Sequence, residues 1–186
     1  MPGRISAKPS TTTRSGRRDL TAAEKLAGGI DAFLDLVGRI TSWLALGIAL
    51  VMGANVLLRY AFSYGFIWAQ ELEWHIFVPI CLFGMSYALL HGEHVRVDVV
   101  FQYFKPRTKH LVDVVTAVIS MAFCLIVIWL SIPYFYQSWS IGEGTANPGG
   151  IEYRYIVKSL IPIGFAIMLL QSLSEAIKSC IAMRRA

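Results

Sequence analysis

Four apolar windows leave this chain little choice of fold. They run Ile40–Leu58, Phe66–Leu90, Leu111–Pro133 and Tyr155–Leu173. Each is close to or above the roughly 20 residues a helix needs to cross the hydrocarbon core of a bilayer. Together they use most of the 186 residues beyond position 40, so no stretch remains for a soluble domain with its own core. Only 16% of the residues are charged, against about one quarter in a soluble domain. The pattern predicts an all-α membrane protein with four transmembrane helices and an N-terminal amphipathic segment.

Charge placement predicts the orientation. The formal net charge is +5, and in a soluble protein such basicity points to nucleic acid. Here the Lys and Arg residues gather in the N-terminal tail, in the second loop (Arg96, Lys105, Arg107, Lys109) and in the C-terminal tail (Lys178, Arg184, Arg185). The first and third loops have few. The positive-inside rule then places both termini and the second loop in the cytoplasm, with no nucleic-acid partner.

In chain order, residues 1–19 read as a disordered cytoplasmic tail rich in Ser, Thr, Pro and Arg, without the apolar core of a signal peptide. Thr21-Ala22-Ala23-Glu24 fits a capping box, so a helix is expected to start there. Over 20–39, Leu26, Ile30, Phe33, Leu34 and Val37 recur at helical spacing opposite Asp31 and Asp35, an amphipathic segment in the interface or leading into the first span. The four-helix domain follows over 40–178, with spans at about 40–58, 66–90, 107–133 and 155–174, and 179–186 form a second cytoplasmic tail. In the first span Ala45, Ala49 and Gly53 form a small-residue stripe suited to close helix packing, and Asn55 is expected to hydrogen-bond another helix. Gly92 is placed to end the second helix in a left-handed turn. Pro162 and Gly164 predict a loosened turn in the fourth.

The second span carries the most unusual residues. Its apolar run from Ile76 to Leu90 is too short alone, so the helix must take in Phe66–His75, including Trp68, Glu71 and Glu73. A charge costs about 2.5–3.5 kcal/mol near the bilayer centre and much less near an end. The two acids therefore belong at the boundary or against protein. Arg59, ending the first helix, comes to about the depth of Glu71, and the two are expected either to pair or to be solvated separately.

Catalytic chemistry is missing. There is no phosphate-binding glycine loop, Ser–His–Asp arrangement or HExxH motif, so no catalytic, cofactor-binding or metal-ligating residue is assigned and the chain is not expected to be an enzyme. The three cysteines lack metal-ligand spacing. No chain of intramembrane acids marks a transport pathway. His75, His91, His94 and His110 raise one alternative, a haem-binding membrane anchor of a redox enzyme, with His110 joined to His91 or His94.

Several pieces together resemble a known family. They are Arg59-Tyr60-Ala61-Phe62, Trp68 with Glu71 three residues on, Phe83-Gly84, His94-Val95-Arg96-Val97-Asp98, Ser138-Trp139 before Gly142-Glu143, and Pro162-Ile163-Gly164. In this order and spacing the chain resembles the small membrane subunit of tripartite ATP-independent periplasmic (TRAP) transporters, the DctQ-like proteins. Two positions depart from the family: Gln70 stands where a second acid is common, and Trp74 where a basic residue is common. The resemblance implies a bacterial inner-membrane subunit without cofactor, set among membrane lipid. A large membrane subunit would hold the substrate and sodium sites, and a periplasmic substrate-binding protein would deliver an organic acid such as a carboxylate. The small subunit would act as a non-catalytic scaffold. Candidate structural or subunit-interface residues are then Arg59, Trp68, Glu71, Glu73, Gly84, His94, Asp98 and Glu143.

Overall fold

The computed structural model describes residues 12–92 and 106–185, with side chains over 22–92 and 108–183. It contains α1 (Thr12–Phe62), α2 (Ile67–Leu90), α3 (Pro106–Ser140) and α4 (Arg154–Arg185), and no strand among the described residues. All four helices are long and apolar enough to cross a membrane. The α1–α2 turn and the α3–α4 connection lie at one end, here called the loop end. The N-terminal part of α1 and the C-terminus of α4 lie at the other, the tail end. α4 packs against each of the other three helices, α1 also packs on α2, and α3 is held mainly by α4.

The bundle is built with small residues inside and large ones outside. Ala117, Cys124, Ser131 and Ser138 are the buried positions of α3, and Ala27, Leu34 and Thr41 recur likewise on α1. A seven-residue repeat keeps one seam of a helix against its neighbour in a shallow left-handed crossing. Small side chains on the seam let backbones approach, because lipid gives large apolar residues no reason to turn inward. Trp43, Leu50, Ile119, Ile126 and Trp129 are accordingly exposed. α4 contributes Gln171, Ser172, Ser174 and Ser179 to the interior, and the Ser172 hydroxyl meets that of Ser120 at 2.9 Å.

Two glycines set the closest crossings. A Cβ on Gly164 would lie 2.7 Å from Leu82 Cβ, and one on Gly38 would lie 1.8 Å from the Tyr87 ring. Hence α2 is pinned to α4 at one level and to α1 at another. The expected packing stripe of Ala45, Ala49 and Gly53 instead faces outward, and nothing lies within 4 Å of a Cβ built on Gly53.

α1 is a single helix of 51 residues, roughly 77 Å at 1.5 Å per residue. The hydrocarbon core is only about 30 Å thick. The amphipathic segment therefore leads straight into the first span and projects beyond it. The capping-box pattern at Thr21 marks no helix start, because the backbone is already helical from Thr12. Nor is Asp31 on a solvated face. Its carboxylate accepts from Ser174 Oγ at 2.8 Å and pairs with Lys178 at 2.6 Å, so it ties α1 to α4, while Leu26 and Phe33 are exposed. Helical periodicity locates a stripe but not the neighbour that covers it; here the neighbour is a polar turn of α4.

Gly92 adopts φ +72°, the left-handed turn its position predicts after α2. α4 continues as one helix through Pro162, and α2 and α3 do so through Pro79 and Pro133. α3 runs on to Ser140, about two turns past the expected end of the third span at 133.

Candidate functional site: a polar clasp at the loop end

Glu71 stands just inside the start of α2, and the α3–α4 connection closes over it. Thr145 Oγ1 and Asn147 Nδ2 donate to Glu71 Oε1, the latter at 3.1 Å, and the Ile151 backbone N–H donates to Oε2 at 2.7 Å. Hydrogen bonds to a charged acceptor are roughly twice as strong as neutral ones. The loop's local sequence makes this closure possible. Gly142 and Gly149 take φ +57° and +82°, values that side chains disfavour. Asn147 N–H bonds back to Thr145 Oγ1 at 3.2 Å, closing a tight turn that aims both side chains at the carboxylate. A Cβ on Gly150 would lie 2.5 Å from Glu71 Oε2, so that position has room only for hydrogen.

A second carboxylate fastens the other side of the loop. Glu143 follows the last turn of α3, where its N–H bonds the Ser138 carbonyl at 3.0 Å. Its own carbonyl accepts from the Arg154 N–H at 3.3 Å, at the start of α4. Its carboxylate accepts a hydrogen bond from Lys158, whose ammonium also lies 4.2 Å from the centre of the Tyr134 ring. Loop, α3 and α4 are thus joined at one point.

The Lys158 hydrogen bond holds the Glu143 carboxyl below the ordinary carboxylate range. A depressed folded-state pKa contributes stability that is complete above the unfolded value and is lost as pH falls through the folded value. Thermal stability in detergent should therefore fall in acid below the usual carboxylate range. The Glu143→Gln variant should be weaker at neutral pH and should lose less on acidification. Melting curves of the two proteins across that range check this.

The expected pairing of Arg59 with Glu71 is replaced. Glu71 is engaged by the loop, which supplies three donors where Arg59 would supply one side chain. Arg59 is exposed, and the nearest neighbour of a Cβ built on Gly65 is its Nε, at 3.7 Å, so it lies over the hairpin turn. Glu73, on another face, accepts from Asn55 Nδ2 at 3.3 Å, the expected helix–helix hydrogen bond of Asn55. Trp68 is half exposed, with its ring centre 6.0 Å from that of Phe66. Nothing of this chain lies within 4 Å of a Cβ built on Gly84, and the close approach of α2 to α4 is at Gly164. His94 and Asp98 lie outside the described residues.

Among the described residues no three His, Cys, Asp or Glu side chains cluster as metal ligands. His75 Nδ1 bonds the Glu71 carbonyl at 2.7 Å and His91 Nδ1 that of Tyr87 at 3.1 Å. His91 caps the end of α2 and His110 lies on α3, two helices that do not pack face to face. The haem-anchor alternative gains no support. Thr145, Asn147, Gly150 and Lys158 are the functional residues that sequence reasoning missed. The one available signal was a polar, glycine-rich loop at the same end as a helix with an acid in its second turn.

Comparison with known proteins decides the family. The family model described as "Tripartite ATP-independent periplasmic transporters, DctQ component" matches residues 48–181. The chain belongs to this family. It is a small permease subunit of a TRAP transporter and a multi-pass protein of the inner membrane. The ectoine TRAP transporter small permease protein TeaB of Halomonas elongata is 24% identical, over 83% of this chain and 79% of that protein. The C4-dicarboxylate TRAP transporter small permease protein DctQ of Vibrio cholerae is 24% identical, over 69% and 64%. The isethionate TRAP transporter permease protein DctMQ of Oleidesulfovibrio alaskensis is 23% identical over 73% of this chain but only 22% of that longer protein. The match begins at residue 48, so the projecting part of α1 lies outside it.

Proposed function

We propose that this DctQ-family subunit is a static, non-catalytic scaffold. It holds a large membrane subunit in the bilayer during sodium-coupled uptake of an organic acid delivered by a periplasmic binding protein. The observation that carries the reading is where the carboxylates of the first hairpin are spent. Glu71 is used by the loop, Glu73 by Asn55, and Asp31 by Ser174 and Lys178. A carboxylate that bound the coupling ion would have to be free to exchange partners, whereas these brace one helix or loop against another. Three relatives of 23–24% identity carry three different substrates in their names, which supports placing selectivity outside the small subunit.

The test is reconstituted uptake with the large subunit and binding protein present. Alanine at Glu71 or Glu73 should lower assembled complex or maximal rate. It should leave the half-saturating sodium and substrate concentrations nearly unchanged, because a residue that touches neither ligand cannot alter its differential binding directly. A large rise in half-saturating sodium with complex yield intact would overturn the reading. The proposed topology, both termini cytoplasmic, predicts opposite labelling. In a background lacking native cysteines, a cysteine at Ala146 should react with an impermeant reagent in intact cells and one at Ser15 should not.

A further inference from the structure

Two carboxylates near the loop end are matched within the chain, and a third is not. Glu143 pairs with Lys158, and Glu71 has the loop's three donors with the Arg154 charge nearby. Glu73 has a neutral partner, the Asn55 amide at 3.3 Å, and among the described residues no cation pairs with it. Arg59 ends α1 but lies over the hairpin turn. α2 has 24 residues and is about 36 Å long, so a hydrocarbon core of about 30 Å leaves roughly 3 Å of it at each end. Glu73 stands about 9 Å along α2 from Ile67, inside that boundary. A carboxylate at such a depth is costly unless a cation meets it.

The surface around Glu73 is open. Leu82 meets Gly164 of α4, and at about 100° per residue Glu73, Phe77 and Gly84 fall on the opposite side of α2. Phe77 is exposed, and nothing lies within 4 Å of a Cβ built on Gly84, or on Gly53 beside Asn55 on α1. We propose that this flank of the first hairpin docks a transmembrane helix of the large subunit, and that a lysine or arginine of that helix meets Glu73. Charge complementarity selects this occupant. An acyl chain brings no charge. A second copy of this chain brings no cation to spare: Lys158 is engaged by Glu143, Arg154 is attracted by both Glu71 and Glu143, and Arg59 sits over the turn. The two open glycines, one on each helix of the pair, fit the same occupant, because small residues let backbones approach where helices pack in lipid. The inference rests on the scaffold reading, since it names the face that reading requires.

Photo-crosslinking in native membranes locates the face. With p-benzoylphenylalanine in place of Phe77, irradiation of the complex should join this chain covalently to the large subunit. The same probe in place of Ile126, which is exposed on α3, should give no such adduct. Co-purification in mild detergent reads the charge. Glu73→Gln should lower the large subunit recovered at least fivefold, and Glu73→Asp should retain most of it. Asn55→Ala should lose less than Glu73→Gln, an order that a role confined to the α1–α2 contact would not give. Gly84→Leu should also lose at least fivefold, at unchanged melting of the purified chain. No adduct at Phe77, or undiminished recovery with both Glu73→Gln and Gly84→Leu, would overturn this face and leave the scaffold reading standing. A wild-type chain that recovers no large subunit would sink the scaffold reading and the docking face with it.

Discussion

Replacing Glu71 with alanine is expected to release the α3–α4 loop and to cut the yield of assembled complex on the order of tenfold, since two half-buried donors, Thr145 Oγ1 and the Ile151 N–H, lose a charged acceptor. Three donors converge on this carboxylate: Thr145 Oγ1, Asn147 Nδ2 and the Ile151 N–H. No other acceptor of the described chain is shown within their reach. Glu71→Gln should fall between wild type and alanine, because the amide keeps one acceptor oxygen and turns the other into a donor. Limited proteolysis between residues 141 and 153 reads loop release directly, and co-purification with the large subunit reads assembly. Arg59→Ala is the informative control. If Glu71 were held by Arg59, the two alanine variants would behave alike. With the observed geometry, Arg59→Ala should leave the loop as resistant as wild type.

The second large effect belongs to the α2–α4 crossing. Gly164→Ala places a methyl group 2.7 Å from Leu82 Cβ, a distance that atoms fixed to two backbones cannot relieve by a rotamer change. The helices must separate, and overpacking of this kind costs about 1–3 kcal/mol. Gly84→Ala is the matched comparison. A Cβ there meets nothing within 4 Å, so it should be neutral or should gain the helix propensity of alanine over glycine, about 1 kcal/mol. Thermal melts in one detergent separate the two variants, and equal losses at both sites would contradict this crossing.

The sequence made some of this plain and hid the rest for physical reasons. Four spans were legible because an 18-residue apolar window has few other uses, and Asn55 because a buried amide needs a partner on another helix. The clasp was not. Glu71 meets donors 74 to 80 residues further along the chain, and nothing in local spacing reports such a meeting. Pairing with the nearer cation, Arg59, was one of two open readings, and the loop takes that place. Which face packs within the chain was also not legible. The small-residue rule finds stripes on both sides of a helix, Ala45–Gly53 on α1 as readily as the Gly38 side, and only the neighbour decides which is used. Periodicity put Asp31 on the polar side of α1 and could not name Ser174 and Lys178, which receive it.

The reach of the Glu71 contacts along the chain has a consequence for synthesis. The first hairpin, α1 with α2, emerges from the ribosome well before the residues that will hold its carboxylate exist. Until residues 145–151 have been made, Glu71 has only water for its hydrogen bonds. Closure of the loop on Glu71 is therefore a late event, possible only when the second hairpin has inserted beside the first. A nascent chain halted before residue 151 carries four-fifths of the polypeptide and none of the backbone N–H contact that seats α2. The clasp can thus be complete only in a chain that has been read nearly to its end.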